Sequence, residues 1–212
     1  MTASVSLEKV TCTFAARSGD GHYTAVKDVD LAIADGEFVS VVGPTGCGKS
    51  TLLNVAAGLL RPSSGHVRIH GEPLAGINRR AGYMFQAEAL MPWRSALENV
   101  TAGLEFRGEG RGAARAKGED WLARVGLAGF GDRYPHQLSG GMRKRVSLAQ
   151  MLILDPQILL MDEPFSALDV QTRSLMENEL LELWSADRKS VIFITHDLEE
   201  AISLSDRVVV LS

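Results

Sequence analysis

Apolar residues fall in short blocks along this chain, and the blocks switch between two periods. Val5–Phe14 and Val26–Ile33 place apolar side chains at alternate positions (Val29, Leu31 and Ile33 in the second), which predicts half-exposed strands. The run Arg17-Ser18-Gly19-Asp20-Gly21 predicts a turn between them. Phe38-Val39-Ser40-Val41-Val42 is nearly all apolar and predicts a buried strand, reached through the turn Asp35-Gly36. From Lys49 to Leu60, the residues Leu52, Leu53, Val55, Ala56 and Leu59 form one apolar helix face, closed by Arg61-Pro62. Short strands follow at Val67–Ile69 and Ala81–Phe85.

From Ala87 to about Asp155 the pattern changes to helices and glycine-rich connectors. Gly108, Gly110, Gly112 and Gly118 predict a loose approach to a helix over Glu119–Val125, and a second helix runs from Met142 to Leu154. Strand character returns at Ile158–Met161 and Val191–Thr195, with a helix from about Gln171 to Trp184 between them. Val208–Leu211 begins a further strand, and an end on a strand leaves open whether a C-terminal segment follows. The pattern predicts an α/β domain: a mostly parallel sheet flanked by helices, an antiparallel β edge, and an inserted α-helical subdomain. The expected core covers about 1–86 and 156–212, and the expected subdomain about 87–155.

Composition narrows the class. The 212 residues are 45% hydrophobic, enough for a core, and the net charge of −4 argues against nucleic acid as a partner. Basic residues are scattered except for Arg143-Lys144-Arg145, which reads either as a solvated helix face or as a phosphate contact. Two cysteines, one in a strand and one in a glycine loop, suit a reducing cytosol rather than a disulfide framework. The start lacks signal-peptide regions, and no apolar run approaches the roughly 20 residues that span a bilayer. Any membrane role is expected to come through a partner.

Two helix starts of the kind that hold phosphate carry the chemistry. Gly43-Pro44-Thr45-Gly46-Cys47-Gly48-Lys49-Ser50-Thr51 fits the phosphate-loop pattern G-x-x-x-x-G-K-[ST] in full, between a strand and a helix. Its glycines let successive amides face a phosphate, Lys49 supplies a point charge, and Ser50 offers a hydroxyl to Mg²⁺. Leu138-Ser139-Gly140-Gly141-Met142 opens the second helix, whose unpaired N–H groups can hold another anion. A second anion site in one short nucleotide-binding chain points to a neighbouring copy as its user. Ile158–Met161 ends in Asp162 and Glu163, the first suited to Mg²⁺ and the second to polarising an attacking water. Gln86 and His196 each follow a strand, at the edge where open α/β sheets bind ligands.

These residues resemble the ATP-binding subunit of an ATP-binding cassette (ABC) transporter, which has a P-loop NTPase core. The match runs in family order: Walker A at Gly43–Thr51, the Q-loop at Gln86, the signature at Leu138–Met142, Walker B at Ile158–Glu163, a D-loop at Ser166-Ala167-Leu168-Asp169 and the switch His196. The resemblance implies ATP and Mg²⁺ as ligands and a head-to-tail homodimer that sandwiches two ATP molecules. Each ATP would lie between Walker A of one copy and Ser139, Gly140 and Gly141 of the other. It implies Glu163 as catalytic base, His196 as the γ-phosphate contact, and Gln86 between Mg²⁺ and the attacking water. It also implies an aromatic residue stacked on adenine, Phe14 first and Tyr23 second.

After the Q-loop, Leu90-Met91-Pro92-Trp93 resembles importers of the nitrate, sulfonate, taurine and bicarbonate group. These residues form either a groove for a permease's coupling helix or part of the sub-lobe core. Many relatives carry Gln where Lys144 stands and Arg where Gln150 stands. The implied protein is an importer's motor at the cytoplasmic face of the inner membrane, bound to permease subunits and served by a solute-binding protein. The competing readings are a soluble ABC-type ATPase acting on nucleic acid or ribosomes, and an exporter's cassette. The first expects a long coiled coil or a second cassette, and the other a fused membrane domain.

Overall fold

The computed structural model describes residues 3–15, 21–87, 89–166 and 168–212. Arg17–Asp20 of the expected turn Arg17–Gly21 lie outside them, as does Ala167 of the expected D-loop. The chain forms two compact units, the first made of 1–83, 157–163 and 186–212, the second of 84–156 and 164–185.

The first unit holds two sheets. Strands β1 (Ala3–Ala15), β2 (His22–Ala34), β4 (Ser64–Ile69) and β5 (Glu72–Pro73) form an antiparallel sheet in the order β2-β1-β4-β5. The second sheet has the order β6-β7-β8-β3-β9, from β3 (Phe38–Val42), β6 (Ala81–Met84), β7 (Ile158–Asp162), β8 (Ser190–Ile194) and β9 (Arg207–Val210). In it β3 pairs parallel with β8 and β9, and β7 with β8. All five residues of β3, β7 and β8 are buried, as continuous apolar runs demand of strands covered on both faces.

Helix α1 (Lys49–Ala56) packs Leu52, Leu53 and Val55 into a core with Val39, Val41, Ile158, Leu160, Ile192 and Ile194, and with Val5, Leu7 and Val10 of β1. It ends before Leu60 because Gly58 sits at φ +70, where a Cβ would lie 1.9 Å from the Gly76 carbonyl oxygen. Parallel pairing sets Val41 and Asp162 each beside Ile194, so the carboxyl ends of β3, β7 and β8 share one edge.

The second unit is helical: α2 (Ala96–Phe106), α3 (Arg111–Arg124), α4 (Gly140–Leu152) and α5 (Val170–Ala186). Helix α3 starts well before the expected Glu119. Gly112 is tolerated in its first turn, and Gly118 is a packing position, where a Cβ would meet Thr101 Cγ2 at 2.6 Å and Leu97 Cδ1 at 2.7 Å. Helix α6 (Leu198–Leu204), back in the first unit, was not expected from periodicity; Asp197 starts it by accepting from the Glu199 and Glu200 amides. Among the described residues no helix is long and apolar enough to cross a membrane.

Candidate nucleotide site

Strand β3 delivers the chain into a loop that only glycine can make. A Cβ on Gly43 would stand 2.2 Å from the Leu211 carbonyl oxygen, and one on Gly48 would stand 2.3 Å from Val26 Cγ1. Gly48 is the N-cap of α1 at φ +96, and it offers no side chain to the helix amides. The first turn of α1 holds no acid either, so its N–H groups and positive dipole end are left to an anion. Lys49 is buried, and its Nζ donates to the carbonyls of Gly43 at 2.7 Å and Pro44 at 3.0 Å, which folds the amine over the loop. Thr45 and Gly46 are exposed, Cys47 is half-buried, and Ser50 and Thr51 lead into the helix. Phe14 and Tyr23 are cross-strand partners on β1 and β2, both exposed; the Tyr23 hydroxyl donates to the Gly46 carbonyl at 3.2 Å.

The acids stand at the adjoining strand ends. Ser50 Oγ donates to Asp162 Oδ1 at 3.1 Å, although 112 positions separate the residues. Burial pushes the Asp162 carboxyl above its usual range and outweighs the Ser50 hydrogen bond and the nearby Lys49 charge; Glu163 pushes it the same way. A hydroxyl and a carboxylate are hard oxygen donors, so Ser50 and Asp162 fit Mg²⁺ by donor chemistry. Among the described residues no group of three His, Cys, Asp or Glu could hold a metal ion.

Strand β7 stops at Asp162, and Glu163 turns into the left-handed region at φ +42 while its amide donates to the Ile194 carbonyl at 2.9 Å. A non-glycine residue there costs about 1–3 kcal/mol, and such strain gathers at functional positions. The strained turn leaves Glu163 Oε2 3.3 Å from His196 Nδ1. His196 is set by its neighbours: the buried Thr195 donates its amide to the Val41 carbonyl, and Thr195 Oγ1 accepts from the Asp197 amide.

The remaining candidates lie in the second unit. Ser139 caps α4, its Oγ accepting from the Met142 amide at 3.2 Å, with Gly140 and Gly141 forming the first turn. Gly141 is pressed against Thr172, whose Cγ2 would be 2.6 Å from an added Cβ, and Asp169 holds Thr172 through both amide and hydroxyl. Those hydrogen bonds lower the Asp169 carboxyl. Leu168 is buried, and Ser166 is half-buried. Of the segment after Gln86, Leu90 and Met91 are half-buried, Pro92 is exposed, and Trp93 is 73% exposed.

Four residues that periodicity did not single out support these groups. Asn99, fully buried, ties the Met91–Ser95 loop by accepting from the Met91 amide and donating to the carbonyls of Met91, Arg94 and Ser95. Tyr83 donates to Asn54 Oδ1, and its phenol is pushed up by burial and then by the Asp162 charge. Thr195 braces the strand end before His196. Lys144 is buried rather than solvated and donates to the Gln86 carbonyl, while Arg143 donates to the Leu138 carbonyl and Arg145 stands 3.8 Å from Glu179. Within the described unit the basic triplet is thus committed internally and is not a solvated face.

A glycine loop on an open helix end, beside a serine–aspartate pair, defines a nucleotide-binding α/β protein. Residues 26–166 match the ABC transporter family. An uncharacterized ABC transporter ATP-binding protein of Methanocaldococcus jannaschii is 45% identical over 212 residues, covering 100% of this chain and 79% of the relative. The taurine import ATP-binding protein TauB of Burkholderia pseudomallei is 45% identical over 210 residues, 99% of this chain and 80% of the relative. Among solved structures, a dimeric post-hydrolysis ATP-binding cassette bound to ADP and Pi superposes with a TM-score of 0.89 at 35% identity, over 98% of this chain and 94% of that one. The chain belongs to the ABC transporter ATP-binding family, and it is an ATPase cassette with that family's α/β fold.

Proposed function

We propose that this chain is the ATP-hydrolysing motor subunit of an importer for a small solute of the sulfonate, taurine, nitrate or bicarbonate kind. The observation that carries the ATPase mechanism is the Glu163–His196 contact beside the open end of α1. The taurine import relative and the exposed Trp93 support the importer role.

ATP would seat its β- and γ-phosphates on the amides of Gly43–Thr51. Lys49 would turn its amine from the loop carbonyls to phosphate oxygens, exchanging two neutral acceptors for charged ones. Phe14, with Tyr23 beside it, supplies the exposed aromatic surface for adenine. Ser50, Asp162 and Gln86 would hold Mg²⁺, which when bound offsets phosphate charge during transfer. Glu163 would take the proton of the attacking water, and His196 would orient that carboxylate and contact the γ-phosphate. Ser139, Gly140 and Gly141 would act on the nucleotide of a second copy, with Ser166–Asp169 at the dimer contact. Leu90–Trp93 would meet the permease, placing the chain at the cytoplasmic face of the membrane, with a solute-binding protein delivering cargo.

Two assays test this reading. Purified chain should hydrolyse ATP with Mg²⁺ and lose that activity in EDTA. Reconstituted with its permease and solute-binding protein, it should drive ATP-dependent uptake of labelled taurine or another small oxyanion. Hydrolysis without uptake of any of these solutes would remove the importer assignment and leave the ATPase one.

A further inference from the structure

Helix α4 carries a buried cation. Lys144 is 2% exposed, and its Nζ donates to the backbone carbonyl of Gln86 at 2.7 Å. An amine without partners is costly to bury, so this contact is part of what the site requires of the helix. The flanking arginines do not share it, since Arg143 reaches back to Leu138 and Arg145 lies beside Glu179. Lys144 stands four residues after Gly140, one helical turn along α4. One rigid turn therefore joins the helix start at Ser139–Gly141 to the loop that carries Gln86. The Gln86 side chain is exposed, and Lys144 holds the backbone from which it extends.

We propose that Lys144 is a positioning residue for Gln86, coupling the loop after β6 to the start of α4 so that both nucleotide-directed segments of the helical unit move as one piece. The inference rests on the functional reading above and assigns Lys144 no contact with ATP. Lysine suits the task because its stem spans the packed interior and its head carries three donors. Glutamine keeps an NH₂ donor for the carbonyl at shorter reach, whereas methionine keeps nearly the length and loses every donor.

The test compares Lys144→Met with Lys144→Gln in the full chain, by ATP turnover and by amide hydrogen exchange without nucleotide. Lys144→Met should lower kcat about five- to tenfold and leave KM for ATP within about twofold, because placement rather than binding is lost. Exchange across residues 84–90 should quicken about tenfold while that of α4 stays as in wild type. Lys144→Gln should restore both readings to within about twofold. If Lys144→Met does not fold, the wild type labelled with ¹⁵N-lysine decides: a slowly exchanging Nζ resonance that Lys144→Gln removes supports the contact. An Nζ signal exchanging as fast as those of surface lysines overturns it, as does Lys144→Met with wild-type turnover and exchange. Failure of the functional reading looks different: wild type would lack ATP turnover, or Glu163→Gln would keep it, while exchange in 84–90 still reports on Lys144 alone.

Discussion

His196 Nδ1 stands 3.3 Å from Glu163 Oε2, although the two residues follow different strands. Register makes the contact: Asp162 lies beside Ile194 in the parallel pair β7–β8, so the next residues of both strands emerge on one edge. Glu163→Gln should keep ATP binding and lower turnover about 10²- to 10⁴-fold, the usual worth of a general base. His196→Ala should lower turnover at least about tenfold through loss of its contact with the Glu163 carboxylate. Phosphate release and nucleotide titration check both, and Glu163→Gln within a few-fold of wild type removes Glu163 from the proposed role.

Lys49→Ala should act on binding first. The variant loses the charged donor that the phosphate loop keeps in place, so ATP affinity by titration calorimetry should fall about 10- to 100-fold. Unchanged affinity would refute the phosphate-loop assignment.

The dimer can be probed at α4, and the choice of glycine matters. Gly141 is already crowded by Thr172, so a side chain there disturbs the helical unit itself. Gly140 is open, its nearest neighbour being an Arg143 nitrogen 3.8 Å from an added Cβ. Gly140→Asp should leave ATP binding near wild type and abolish hydrolysis by setting a negative charge against the partner copy's nucleotide. Mixing it with Lys49→Ala should recover part of the activity, since a heterodimer has one intact composite site. Cysteines at Thr45 and Ser139, with Cys12 and Cys47 replaced, should then bridge between chains when ATP is present. A bridge formed within one chain contradicts the head-to-tail arrangement.

Glu37 and Arg207 give a pH test away from the nucleotide. Arg207 Nε donates to Glu37 Oε1 at 2.7 Å, and a second nitrogen donates to the Ala32 carbonyl, joining β9 to the entry of β3. Burial alone would raise the Glu37 carboxyl, but the Arg207 and Ala34 hydrogen bonds, with the Arg207 charge, leave it below its ordinary 4.5. A lowered carboxyl stabilises the fold above its unfolded pKa and loses that contribution as pH falls through the folded value. Glu37→Gln should therefore have a lower Tm than wild type at neutral pH, with the gap narrowing below pH 4.5. Thermal melts across pH 3–7 check it, and a gap constant with pH contradicts the ion-pair account.

Much of this molecule was legible residue by residue, and the exceptions share a cause. Strands β3, β7 and β8 showed as continuous apolar blocks because both of their faces are covered. The loop Gly43–Thr51 showed because its chemistry is local. What sequence did not show depends on residues far along the chain. Gly118 reads as a helix breaker until Thr101 and Leu97 are seen to occupy its Cβ position. Arg143-Lys144-Arg145 reads as a solvated face or a phosphate contact until the Gln86 carbonyl is found under the middle residue. Asp162 and Glu163 read as one strand end, yet the strand stops at Asp162 and Glu163 sits in a left-handed turn. Helix α6 has only seven residues, too few for a period to emerge, although its Asp197 cap was in plain view.

The backbone at Glu163 sets chemistry and durability against each other. A φ of +42 is where glycine or asparagine rests most comfortably, so the position holding the proposed base is one the fold would rather fill otherwise. A library selected only for heat tolerance should enrich Gly and Asn at 163 and yield sturdier chains that no longer turn over ATP. Selection for ATP turnover should hold glutamate there against that pull.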